Sequence, residues 1–177
     1  ALEDIAEKMG KDWLEQNHSQ KWIETYSGVS GLVTLEAARN AKPKKAIGIL
    51  INKLVEAKKQ GEKEGADAYK NLAAGLCAEI RVLLEKTVEH DLLGGIVLRN
   101  RVSVTTDNKL AKLATIKSED CKFIDDLMTK NSTLVHSQST ENPIAIPEEP
   151  ELKKDLEDLK KWREEFEKRP VAGVANI

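Results

Sequence analysis

Arg81 and Glu85 stand four residues apart, and His136 follows downstream in the polar run Ser132-Thr133-Leu134-Val135-His136-Ser137-Gln138. Together they form a set that could cleave RNA without a metal. An imidazole titrates near neutral pH and would move a proton to or from a ribose 2′-hydroxyl or the leaving 5′-oxygen. A guanidinium would stabilise charge growing on phosphorus, and a carboxylate would orient it or share the acid–base work. The plainer reading is an exposed i,i+4 ion pair worth a few tenths of a kcal/mol and a solvated loop histidine. His18 and His90 are weaker candidates, His90 standing where a cation complements a helix C-terminus.

Competing chemistries find little purchase in this chain. The three histidines are far apart, no His-Glu-x-x-His or cysteine cluster occurs, and Asp125-Asp126 diverge by about 100° on a helix, so no metal site is expected. A phosphate-binding Gly-x-x-x-x-Gly-Lys-[Ser/Thr] loop and a nucleophilic serine elbow are absent from the sequence. No cofactor is therefore expected in this chain. Arg99 and Arg101, with Lys130 and Asn131, are the candidates for RNA contact beside the site, arginine being suited to phosphate.

The elements that must position these residues read as helices. Leu2, Ile5, Ala6, Met9, Trp13 and Leu14 have helical spacing. Val29, Leu32 and Val33 fit a short strand or an extended connection. Pro43 opens a helix with the stripe Ile47, Leu50, Ile51, Leu54 and Val55, broken at Gly61 and Gly65. The best patterned helix covers 67–93 and leaves through Gly94-Gly95. The stretch from Ile96 to Val104 fits either extended or helical structure. Ser118, with Glu119 and Asp120, predicts a helix start, with Phe123, Ile124, Leu127 and Met128 buried and an end near Lys130 that leaves His136 in a loop. A connector with Pro143, Pro147 and Pro150 leads to a last helix over 151–168, whose Leu152, Leu156, Leu159, Trp162 and Phe166 resemble a coiled-coil seam open to another chain.

Composition agrees with this picture. A third of the 177 residues are charged and 4% are aromatic, the usage of an all-α protein with solvated outer faces. The expected architecture is a multi-helix bundle with a proline-rich connector and a long C-terminal helix: a helical core over 1–142, a linker over 143–150, the amphipathic helix over 151–169 and a tail over 170–177. A formal charge of −2 excludes a generic nucleic-acid coat, so any RNA contact is local. Cys77 and Cys121 are isolated and no signal peptide precedes them, which fits a cytoplasmic compartment. No apolar run reaches the ~18 residues of a membrane span. The chain begins in mid-pattern without methionine and reads as part of a longer protein.

The segments Glu85-Lys86-Thr87-Val88-Glu89, Glu119-Asp120-Cys121 through Thr129-Lys130, His136-Ser137-Gln138 and the Trp162 helix resemble the C-terminal region of prokaryotic SMC-like and RecF-like AAA (ABC-type) ATPases, many associated with phage defence. The resemblance runs from about Ser30 to Phe166. Within that class, anticodon nucleases of the PrrC/RloC type are similar in placing an Arg-x-x-x-Glu pair on a helix and a histidine downstream, an order that Arg81, Glu85 and His136 match. These belong with the HEPN-type ribonucleases, which commonly show Arg-x(4–6)-His; here Lys130 stands where that arginine would be, and an ammonium does not bind phosphate bidentately. The resemblance implies an endoribonuclease effector, acting on RNA such as tRNA and leaving 2′,3′-cyclic phosphate ends. It also implies an upstream ATPase region of the same protein that carries the ATP and magnesium, and a homo-oligomer. The alternative from the residues is a non-catalytic helical module coupling the ATPase to a partner nuclease, to DNA or to a second protomer.

Overall fold

The structure is a computed structural model that describes residues 22–26, 29–34, 38, 41–99, 101–107, 109–136 and 145–171. The chain divides into two compact units, 1–37 and 38–177. The first unit holds a hairpin of β1 (Trp22–Tyr26) and β2 (Val29–Thr34), antiparallel with Trp22 opposite Thr34 and Tyr26 opposite Val29. The strand expected around Val29 to Val33 is β2. Its partner was legible too, because an aromatic and β-branched run ending two residues before β2 is a hairpin signal. The amphipathic pattern over Leu2 to Leu14 lies outside the described residues.

The second unit is all-α. It contains α1 (Pro43–Glu64), α2 (Ala66–Thr87) continued by a π-helical turn (Val88–Leu92), the short α3 (Leu110–Leu113), α4 (Ser118–His136) and α5 (Glu149–Glu167). Pro43 occupies the first turn of α1, where its missing N–H costs nothing. α1 and α2 form an antiparallel hairpin around Gly65, tied along its length by Lys53 Nζ donating to Glu79 at 2.9 Å. The break expected at Gly61 does not occur, since the helix continues to Glu64 and ends at Gly65; Gly61 serves instead at the close end of that hairpin. A Cβ there would lie 2.6 Å from the Cβ of Tyr69.

The α2 stripe is the centre of the core, as its pattern predicts: Ala73, Leu76, Cys77, Ile80, Leu83 and Leu84 are all buried. The helix does not run evenly to Leu93. Thr87 turns its hydroxyl back onto the Leu83 carbonyl at 2.9 Å, and the next turn widens, with the Leu93 amide reaching the Val88 carbonyl five residues back. In this widened turn Asp91 accepts from Arg163 of α5 through Nε at 2.6 Å and Nη2 at 2.9 Å. At the other end of α5, Tyr69 of α2 donates its hydroxyl to the Pro147 carbonyl at 2.8 Å. α5 therefore runs parallel to α2.

Two expectations about the C-terminal half are corrected. Pro150 belongs to the first turn of α5 and not to the connector, a position that tolerates proline. The seam Leu152, Leu156, Leu159 and Phe166 is not open to another chain, because all four side chains are buried in the core that α1 and α2 share. α5 thus belongs to the same compact unit as the helices before it.

The N-terminus of α4 is set by Asp120, not by Ser118. Lys117 holds the capping position, and the Asp120 carboxylate reaches back to accept its amide at 2.8 Å, the return half of a capping box. The same carboxylate, 2% exposed, accepts from Trp162 Nε1 at 2.8 Å and from both terminal nitrogens of Arg169. Trp162 stacks on Phe166 at 5.1 Å and lies 5.9 Å from Phe123, while the Arg169 and Lys112 cations stand over the Phe166 ring. α4 is consequently antiparallel to α5 and to α2.

Leu156→Ala should lower the unfolding free energy by about 2–5 kcal/mol in a denaturant titration, through lost transfer and a residual cavity. The Arg169 guanidinium beside Asp120 holds its carboxyl down to about 2 from an ordinary 3.8, against the upward pull of burial. Because the folded value is depressed, this stabilisation is complete above the unfolded value and fades as pH falls from 3.8 towards 2. Asp120→Asn should therefore cost about 2 kcal/mol at pH 7, and the gap from wild type should close in melts taken at progressively lower pH.

Candidate functional site

The candidate residues are distributed over three elements. Arg81 and Glu85 do meet, on the outer border of α2, with Nε and Oε1 3.5 Å apart. Glu85 has a second cationic partner: Arg99 donates Nη1 to its other oxygen at 2.5 Å, and Arg99 Nε donates to Glu89. These carboxylates, Glu85 first, push the Arg99 guanidinium above its usual pKa. The pair is thus part of a four-residue lattice that staples the segment after α2 to the helix. Both Glu85 oxygens face guanidinium groups, and Arg99 is committed to carboxylates where phosphate contact was expected of it.

His136 is the last residue of α4, so its backbone is helical and not part of a loop, a correction with a clear cause. Asn131 Nδ2 donates to the Leu127 carbonyl and Thr133 Oγ1 to the Thr129 carbonyl, both at 2.8 Å, so polar residues expected to end the helix bond back onto it instead. The orientation of α4 then decides the spacing. Lys130 is bonded to Asp155 of α5 and acts electrostatically on Cys77 of α2, which puts the three at about one level of the bundle. His136 stands six residues beyond Lys130 in one direction, and Arg81 four residues beyond Cys77 in the other. At 1.5 Å per residue, the His136 backbone is separated along the bundle by about 15 Å from that of Arg81 and about 20 Å from that of Glu85. The fold brings arginine and glutamate together and carries the histidine backbone to the opposite end.

Lys130 and Asn131 are structural. Lys130 bridges Glu151 at 2.7 Å and Asp155 at 2.5 Å on α5. Burial lowers its affinity for a proton, but Asp155 and Glu151 more than restore it, and the ammonium is held above its usual pKa. Asn131 is 0% exposed, which removes it from any RNA-contacting surface. Arg101 alone of the four RNA candidates is exposed with no ion-pair partner among the described residues.

Arg101 lies in a feature that the sequence left open between helix and strand. From Ile96 the chain makes a compact excursion and returns, the Thr105 amide donating to the Ile96 carbonyl at 3.1 Å and Arg101 N to Leu98 O at 3.0 Å. Ile96 is buried and anchors the neck. Val102 is fully exposed, Val97 and Val104 beside the neck are exposed as well, and so is Leu110 further along the chain. Gly94 and Gly95, both in the left-handed region, supply the expected exit from α2 into this loop. The missed signal was the polar run Arg99-Asn100-Arg101 set between Val97-Leu98 and Val102-Ser103-Val104, a pattern of neither helical nor strand period and unsuited to a core.

Among the described residues no group of three or more histidine, cysteine, aspartate or glutamate side chains is placed to hold a metal ion. No described helix is long and apolar enough to cross a membrane. Cys77 is buried, which pushes its thiol up to about 11, far from a nucleophile's range. No family model, curated protein sequence or solved structure matches this chain.

Lys130→Ala should cost about 1–3 kcal/mol of stability, since Asp155 and Glu151 would face each other without their shared cation. In a filter-binding titration with tRNA its affinity should match wild type. A loss of RNA affinity with unchanged stability would overturn this structural assignment.

Proposed function

We propose that this chain is a non-catalytic helical interaction module, a rigid bundle that displays the 96–105 loop to a protein partner and so couples that partner to the ATPase region implied by the sequence resemblance. The observation carrying this reading is the exposed valines of the loop: Val102 in its outer part and Val97 and Val104 next to a neck fixed by the Thr105–Ile96 hydrogen bond. A compact loop with a rigid base and apolar residues outward stores unburied surface that a partner can cover, at little ordering cost. Valines favour protein over nucleic acid here, because single-stranded RNA is gripped by aromatic stacking, which this loop lacks. The ribonuclease reading requires Arg81, Glu85 and His136 to act on one phosphodiester, and their backbone separation gives it no support.

A photo-reactive residue at position 102 should yield a discrete adduct in cells, identifiable by mass spectrometry and abolished by Val104→Asp. The same probe at Lys160, on the outer face of α5, should yield none. Equal labelling from both positions would sink the proposal. Cleavage of tRNA in EDTA to cyclic-phosphate ends, lost on His136→Ala, would return the chain to the ribonucleases.

A further inference from the structure

The opposite end of the bundle carries a groove of about 410 Å³ where the α1–α2 turn meets the start of α5. Gly61, Ala66, Tyr69 and Pro150 line it together with Glu62 and Glu148. Lys58 and Glu149 in the same lining pair at 3.2 Å, and Lys70 reaches Asp67 outside it at 3.4 Å. Glu62 and Glu148 are exposed and have no ion-pair partner among the described residues. The groove is therefore lined by apolar groups and by more carboxylates than ammonium groups, with Glu62 and Glu148 left to face an incoming cation. Tyr69 registers the same field: burial and then Glu148 push its hydroxyl up to about 12.

The 96–105 loop has the complementary character. Val102 is flanked by the exposed Arg101, and Lys109, whose Nζ lies by Gly95, is likewise without an ion-pair partner among the described residues, while Asp107 is the only acidic residue between 97 and 117. The two surfaces cannot satisfy each other within one chain. They lie beyond opposite ends of the 22-residue α2, about 33 Å apart at 1.5 Å per residue, and the loop is tied at its neck.

Resting on the interaction-module reading, we infer that the partner of this loop is a second copy of the chain, the valine-tipped basic loop of one protomer seating in the Glu62–Glu148 groove of the next. Such contacts are heterologous: every protomer offers one loop and one groove, so assembly proceeds head to tail into a ring or an open filament. Apolar side chains would supply the burial, and the Arg101–glutamate attraction would set the register and make assembly sensitive to salt.

Sedimentation velocity of the full chain from micromolar to millimolar concentration, at low and high salt, tests this. The average mass should rise with concentration and fall with salt. Arg101→Glu, Val102→Asp and Glu148→Arg should each weaken association by about tenfold or more; thermal melts should be unchanged for the first two, whose side chains are solvated, and slightly lowered for Glu148→Arg, which puts a cation at the N-terminus of α5. Arg101→Glu combined with Glu62→Arg and Glu148→Arg in one chain should restore assembly, since the swapped charges again face each other. A monomer at every concentration, a dimer indifferent to these substitutions, or a charge-swapped chain that stays apart overturns self-docking. A strictly monomeric chain that still forms a position-102 adduct with a different protein would overturn it too, yet leave the interaction module standing.

Discussion

The bundle depends on one buried carboxylate. Asp120 receives donors from the Lys117 amide, the Trp162 indole and the Arg169 guanidinium, so a single side chain caps α4, fixes the approach of α5 and holds the residues that follow α5. A charge this deeply withdrawn from water is costly unless hydrogen bonds replace its hydration. Here they do, and the aromatic ring of Phe166 is closed beneath the arginine as a result. The antiparallel placement of α4 follows from this anchor.

That orientation explains the fate of the charged residues. Cross-helix pairs recur at every level: Lys53 with Glu79 between α1 and α2, Lys130 with Asp155 between α4 and α5, Arg163 with Asp91 between α5 and the π turn. Each joins elements far apart in sequence, and each occupies the border between the apolar seam and solvent. Such pairs contribute modest energy but discriminate against shifted helix registers, because a displaced helix would leave charges half-buried and unpaired. Of the residues that the sequence offers as a site, Lys130 is one of these cross-helix pairs, while Glu85 joins Arg81 of its own helix to Arg99 of the segment that follows.

With those groups engaged, the surface left available is of another kind. The loop after the π turn exposes branched apolar side chains next to cations, and the groove at the far end is lined by apolar groups together with the carboxylates of Glu62, Glu148 and Glu149. Both features exist because helix ends are awkward: the chain must turn, backbone groups need partners, and packing is incomplete there. In a bundle whose sides are closed by packing and ion pairs, its ends are where recognition has room.

Several elements were legible without any tertiary information, since local physics governs them. Pro43 and Gly65 bounded α1, the apolar spacing from Leu72 to Leu84 identified the central helix, Gly94-Gly95 marked its exit, and four of the five apolar seam residues of α5 are buried as their spacing implied, with Trp162 packed beside them. Helical period and backbone conformational preference act over a few residues and leave their mark in the order of the chain. Other outcomes required the folded chain. Whether the α5 seam met another molecule or its own core, which residue capped α4, and whether His136 stood near Arg81 all turned on helix direction and crossing, which periodicity does not encode. A carboxylate's partners are equally invisible in the sequence: Glu85 reads as the mate of Arg81, and only the return of the loop at Thr105 brings Arg99 to its other oxygen. The sequence alone determined which faces had to be buried; the tertiary structure decided what buried them, because contacts between distant residues depend on how the chain is brought back upon itself.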